Sequence, residues 1–246
     1  MNKNFHFGII IPASNITVEK ELFSIINQND KKHMKLFFHF GRAGFNTRYK
    51  VSAKKYLSEV VSNLPNEIKK ISKIDVENIS FFCTSGSLLL NNYSDIKDEC
   101  TKILNKELIT PIESLINAYN LLHIRYPLVI TPYQANISSQ LSKVMLNNGI
   151  FAKKVVSLNL NTTSQLYEYS YNKLFTLLEK ELLNKNKYDG ICIMCTNFPT
   201  FNLIEKIENK FGIPTISSNQ ATLFEILKQS SADINIYNLG KLFNKL

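Results

Sequence analysis

Two stretches of this chain place a thiol at the end of an apolar run: Ile79-Ser80-Phe81-Phe82-Cys83-Thr84 and Ile191-Cys192-Ile193-Met194-Cys195-Thr196. The first continues as Ser85-Gly86-Ser87 and the second as Asn197. A cysteine at the last residue of a buried strand, just before a helix, sits among backbone N–H groups whose partial positive charge favours a thiolate and lowers its pKa toward neutrality. The same N–H groups, with the hydroxyls of Thr84, Ser85 and Ser87, form a cradle suited to a carboxylate. A thiol on each side of one small acid suits cofactor-free proton transfer, or thiol addition at a carbon next to a carboxylate. A lone cysteine at the end of an apolar run is more often an inert buried hydrophobe. The recurrence of Cys-Thr at matching places singles out Cys83 and Cys195. Cys192 has the spacing to Cys195 of a redox or zinc pair. Residues three apart in a strand face opposite ways, however, and no second CxxC or nearby histidine pair completes a zinc site. Cys192 and Cys100 are therefore read as structural, no metal is expected, and His6, His33, His39 and His123 share no spacing of a catalytic cluster.

The elements that must position these thiols recur as well. Phe7 to Asn15 matches Pro127 to Asn136, each a short apolar run closed by a proline, Pro12 or Pro132, and a polar turn. Leu108-Ile109-Thr110-Pro111 matches Phe211-Gly212-Ile213-Pro214, each leading through a serine, Ser114 or Ser217, into a helix. The order is the same in both halves. Second strands are predicted over Lys35–Phe40 and Lys153–Leu158. Helices are predicted over Ile16–Asn27, Val51–Ser72, Tyr93–Asn105, Ser138–Asn147, Thr163–Leu183 and Leu203–Lys210. Apolar strands separated by helices imply an α/β fold of two pseudo-symmetric βαβ lobes, Rossmann-like or flavodoxin-like, with parallel sheets covered on both faces and a cleft between them. The lobes are expected over residues 1–122, whose C-terminal segment is free to cross over, and 123–246. Ligands bind at the carboxyl edge of such sheets. That edge carries Pro12-Ala13-Ser14-Asn15, the two Cys-Thr motifs and Thr131-Pro132-Tyr133.

A hydrophobic fraction of 44% supports a real core and excludes disorder. The formal charge of +9 raises nucleic acid as a partner. The lysines are scattered along helix faces, though, and Arg42, Arg48 and Arg125 are the only arginines. No motif interleaves basic residues with stacking aromatics. The charge is read as solvated helix faces, with no nucleic acid partner. No apolar run approaches the roughly 18 residues of a spanning helix. Met1 to Phe7 carries no signal-peptide apolar region, so a cytoplasmic protein with reduced thiols and no membrane partner is expected.

These motifs together resemble the maleate cis-trans isomerase and arylmalonate decarboxylase branch of the aspartate/glutamate racemase superfamily, over most of the chain. Ile11-Pro12-Ala13-Ser14-Asn15 resembles the isomerase Pro-Ser-Ser-Asn turn, with Ala13 for its first serine. Cys83-Thr84-Ser85-Gly86-Ser87 is similar to the first cysteine motif, Cys195-Thr196-Asn197 to the second, and the segment Pro214 to Ala221 to a C-terminal stretch of the branch. The decarboxylases carry Gly where Cys83 stands, and the amino-acid racemases open with a different turn after the first strand. The resemblance thus favours an isomerase without a cofactor, acting on a small dicarboxylate and assembled as a homodimer or larger oligomer. It implies that Cys83 adds as thiolate to one alkene carbon of maleate, giving a succinyl-cysteine whose former double bond rotates. Cys195 then handles the proton at the neighbouring carbon, and elimination releases fumarate. Asn15, Thr84, Ser85, Tyr133, Thr196 and Asn197 are the implied substrate-binding residues. Asn161 lies near a further substrate-binding asparagine of the family, and Arg42 is either a carboxylate partner or a solvated loop charge. Racemisation or decarboxylation of another small acid is the alternative within the superfamily.

Overall fold

The structure, a computed structural model, describes residues 3–26, 34–44, 52–90, 93–105, 107–160, 162–183, 187–230, 232, 234 and 236–246. Two parallel sheets organise it. In the first, β1 (Lys3–Pro12) lies between β2 (Met34–Ala43) and β3 (Asn78–Phe81), in register Phe7 to Phe38 and Ile10 to Phe81. In the second, the order is β5 (Lys154–Ser157), β4 (Leu128–Thr131), β6 (Ile191–Ile193), β7 (Thr215–Ser217), all parallel. A parallel bridge between Ser80 and Ile109 gives the first sheet a counterpart of β7. The expected α/β fold with paired parallel sheets is what forms, and the internal repeat of the sequence becomes the same strand order twice.

Most of the helices fall where apolar periodicity puts them: α1 (Val18–Ile26), α2 (Ala53–Ile71), α4 (Ser94–Leu104), α6 (Ala135–Asn147) and α9 (Phe201–Phe211). A short α3 (Thr84–Leu90) follows the first cysteine. The helix predicted over Thr163–Leu183 is instead two, α7 (Thr163–Tyr167) and α8 (Tyr171–Glu181). Thr162 and Gln165 close a capping box at the start of α7, and Ser170 takes the extended N-cap conformation that starts α8. The break lets the Tyr169 ring tilt against Phe198 at 5.6 Å.

The two halves share one core. Buried side chains of β1 (Phe5, Phe7, Ile9), α5 (Pro111–Leu121), β4 (Val129), β6 (Cys192), β7 (Ile216) and α10 (Ser218–Ser230) belong to a single cluster. α10 is buried at every residue from Ser218 to Leu227. It leaves the second sheet and packs against α5 and β3 of the first half. There Ile226 accepts a hydrogen bond from the Asn78 side chain at 2.9 Å. A short α11 (Gly240–Phe243) closes the chain, its Phe243 ring edge-on to Phe224. Among the described residues no helix is long and apolar enough to cross a membrane.

Because α10 serves both halves, Leu223→Ala, which empties a fully buried site, should cost about 3 kcal/mol. Hydrogen exchange should then accelerate in β1 and β4 together. Acceleration confined to one sheet would show that the halves unfold separately.

Candidate functional site

In each sheet the strand order reverses beside the central strand, and the cysteines follow the neighbouring strands β3 and β6 at their carboxyl ends. Both thiols are free and buried, each with 4% of its surface exposed. The Gly86 N–H donates to Cys83 Sγ at 3.2 Å, and the Ser85 hydroxyl lies 3.9 Å from the same sulfur. The Asn197 N–H donates to Cys195 Sγ at 3.3 Å. Gly86 is needed for this approach: a Cβ there would fall 2.8 Å from the Cys83 sulfur and 2.8 Å from the Phe81 ring. Tyr133, just past β4, lies between the two, its hydroxyl near the Cys195 thiol and the Ser85 side chain and within the electrostatic reach of both sulfurs. Burial first, then Cys195 and Cys83, raise its pKa well above the ordinary phenol value, so it stays a neutral O–H donor.

Asn15 occupies the corresponding turn after β1. Its Oδ1 accepts from the Thr17 and Val18 N–H groups, both at 3.0 Å, in the manner of a helix N-cap. That bonding fixes which end of the amide is which and leaves buried Nδ2 without a partner among the described residues. A buried amide donor with no acceptor is a costly feature to keep unless a ligand completes it.

The Cys-Thr loops are tied across the lobe boundary. The Thr196 hydroxyl donates to the Phe82 carbonyl at 3.0 Å, and the Thr84 hydroxyl to Ser218 Oγ at 2.9 Å. The Ile16 N–H donates to Asn197 Oδ1 and the Thr17 hydroxyl to the Asn197 carbonyl, both at 3.0 Å. Ser87 donates to the Thr84 carbonyl. The expected cradle of hydroxyls is therefore corrected. Thr84, Ser87 and Thr196 are buried away from water, so their hydroxyls pair with protein acceptors, whereas those of Ser85 and Tyr133 face the sulfurs. Arg42 also has internal work. Its guanidinium donates to the Ala13 and Asn15 carbonyls at 3.1 and 3.0 Å and pairs with Glu19 at 2.6 Å, bracing the turn that carries Asn15. Asn161 lies outside the described residues.

The second correction concerns the thiols. Burial, the largest cause, pushes Cys83 up to about 12 against the N–H bond from Gly86 and the Ser85 hydroxyl. It raises Cys195 as well, against Tyr133 and the N–H groups of Asn197 and Phe198. One or two N–H donors do not offset removal of a sulfur anion from water. Cys192 and Cys100 lie elsewhere: Cys192 in the shared core beside Tyr119, Cys100 in the cluster of α2 and α4. Among the described residues no three His, Cys, Asp or Glu side chains gather as metal ligands.

Two site residues had no assigned role at the sequence level. Glu21 sits on the buried face of α1 with Val18, Leu22 and Ile25, and an acid on an apolar helix stripe was the available signal. Asn219 donates to the Thr196 carbonyl at 3.0 Å from the start of α10.

A family model described as arylmalonate decarboxylase matches residues 38–243. The chain belongs to the arylmalonate decarboxylase family. A maleate isomerase of Geobacillus stearothermophilus is 20% identical over 252 residues, which cover 99% of each chain. Among solved structures, a cysteine-to-serine variant of the Nocardia farcinica maleate cis-trans isomerase, with a covalently bound succinylcysteine intermediate, matches with a TM-score of 0.86 at 16% identity over 99% of each chain. A cysteine-to-alanine variant of the Pseudomonas putida maleate isomerase, with maleate, matches with a TM-score of 0.86 at 19% identity over 98% of each chain. Arylmalonate decarboxylase itself matches with a TM-score of 0.76 at 15% identity, over 98% of this chain and 100% of that one. These likenesses carry the two-sheet fold.

The raised thiols give a direct expectation. Alkylation of Cys83 by iodoacetamide in the folded, ligand-free protein should rise about tenfold per pH unit from roughly pH 7 to 9 without a plateau, since the thiolate fraction is still climbing. A plateau below about pH 8 would mean a thiolate already formed near neutrality.

Proposed function

We propose that this family member is a cofactor-independent isomerase that converts a small cis-dicarboxylate, maleate, to its trans isomer. The observation that carries this reading is the pair of buried thiols, one from each lobe at equivalent strand ends, with the Tyr133 hydroxyl near both. A decarboxylase that protonates one face of an enediolate needs one such thiol. The succinylcysteine held by the Nocardia relative supports a covalent route.

In this reading the reacting form carries one proton on the pair: Cys83 has released its own to water before it adds, and Cys195 keeps its proton. The Cys83 sulfur forms a bond to one alkene carbon, and the π pair moves to the other carbon and into its carboxylate. Cys195 gives its proton to that carbon and becomes the thiolate. The former double bond is now single, and the succinyl group rotates about it. Cys195 then takes a proton back, the C–S bond breaks with its electrons returning to Cys83, and the trans alkene leaves. No atom is gained or lost, and both sulfurs return to their starting forms. The negative charge that builds on the carboxylate oxygens calls for donors held in place beforehand. The free Nδ2 of Asn15, the neutral hydroxyl of Tyr133, Ser85 and the backbone around Thr84, Thr196 and Asn197 are assigned that role. Arg42 acts through the turn it braces.

Incubation with maleate under reducing conditions should yield fumarate. Cys83→Ala and Cys195→Ala should each lower turnover by at least about 10³-fold, and Asn15→Ala by about 10²-fold. Cys100→Ala should leave turnover intact. Conversion of another small acid with none of maleate would move the assignment elsewhere in the superfamily, and near-normal rates in Cys83→Ala would remove the covalent step.

A further inference from the structure

Glu21 belongs to the first lobe, yet its carboxylate is buried against the second. It accepts from the Thr200 N–H, from the Phe201 N–H at 2.8 Å and from the Thr200 hydroxyl at 3.4 Å, at the start of α9. Its other oxygen accepts from Asn219 Nδ2 at 2.5 Å. The same Asn219 nitrogen donates to the Thr196 carbonyl, directly after Cys195. Thr200 is held from behind by Ser217 Oγ at 2.9 Å. Cys195 thus opens a loop whose near end, at Thr196, and far end, at Thr200 and Phe201, are both held through one carboxylate.

We propose that Glu21 is a positioning residue for the second cysteine loop, acting with Asn219, and that the loop is held in its working geometry only while Glu21 is ionised. This rests on the reading of Cys195 as the thiol that carries the proton. Three N–H groups converge on the two oxygens. A protonated carboxyl would turn a hydrogen toward one of these donors, and that contact would be lost. The network also answers why a carboxylate is buried here: the α9 N-terminus supplies two of the donors.

Among the described residues, the ionisable side chains that share a cavity with Glu21 are Lys20 on its own helix and Tyr167, Tyr169 and Tyr171 across from it, while Glu205, Lys206 and Tyr237 line the neighbouring cavity along α9. Lys20 is turned to the Tyr167 hydroxyl at 2.7 Å. No charged neighbour figures among the causes of the shift at Glu21. Burial raises it to about 7, and the hydrogen bonds from Thr200, Phe201 and Asn219 oppose the rise. The carboxyl therefore changes charge in the neutral range. With a folded value above the unfolded one, Glu21 stabilises the fold below about pH 4.5, and that contribution is lost as pH rises to about 7. The form that positions the loop is the less stable one.

The pH profile of kcat/KM for maleate tests this. The wild type should lose an additional factor of about ten per pH unit below about pH 7, on top of the thiol dependence. Glu21→Gln should lack that additional limb at a lower overall rate. Asn219→Ser, which removes a donor to the anion, should move it to higher pH. The same limb in all three proteins would overturn the proposal. Should maleate not be turned over, the site-resolved ratio of Cys195 to Cys83 alkylation in the wild type takes its place. An inflection of that ratio near pH 7 supports the brace, and a ratio without one overturns it, whether or not either variant folds.

Discussion

The site depends on a single constraint: the strand ends that carry its chemistry are buried, so the polar groups there must find partners inside the protein, and each lobe supplies them to the other. The Thr196 hydroxyl needs the Phe82 carbonyl, Thr84 needs Ser218, and the turn after Asn15 needs Asn197. An unpaired buried group costs on the order of 1–3 kcal/mol, so these exchanges fix the lobes in one relative position. Two cysteines separated by more than a hundred residues of chain are thereby brought beside the same tyrosine, Tyr133. The shared core beneath them, with α10 carried across to the first sheet, makes that position the ground state of the fold.

The same burial sets the chemical problem. A sulfur excluded from water is a poor thiolate, and the N–H groups of Gly86 and Asn197 do not reverse that. What burial offers in return is a low-dielectric setting in which the Tyr133 hydroxyl, the Asn15 amide and the backbone dipoles act strongly on charge that develops during reaction. A site built this way spends little of its organisation on the resting thiols. On the proposed reading, its donors serve the anion that forms on substrate when the sulfur adds.

Much of this was legible in the sequence because it rests on patterns that burial imposes. Continuous apolar runs such as Phe7 to Ile11 become parallel strands covered on both faces, and the ends of those runs, marked by Pro12, Cys83, Thr131 and Cys195, lie at the carboxyl edges of the two sheets. The repeat of Cys-Thr survived as two thiols at equivalent strand ends. What could not be read depends on partners far away in the chain. Helical periodicity carries through Thr163 to Leu183, and only the packing of Tyr169 on Phe198 and the start of α8 at Ser170 break it. Local chemistry pointed to acidic thiols beside N–H groups, whereas the cost of burial is a property of the whole fold. Arg42 stood open between a carboxylate partner and a solvated loop charge because its acceptors, Glu19 and the carbonyls of Ala13 and Asn15, meet it only once β1 and β2 are paired. Glu21 and Asn219 come together from opposite ends of the sequence.

In the proposed reaction Cys83 bonds covalently to substrate while Cys195 moves the proton. The most direct measurement is intact-mass and peptide mass spectrometry of the Cys195→Ala protein after exposure to maleate. The expected result is a gain of the mass of one maleic acid, located on the peptide that contains Cys83 and absent when Cys83 is also replaced. A folded Cys195→Ala protein that binds maleate and acquires no mass on Cys83 would contradict it.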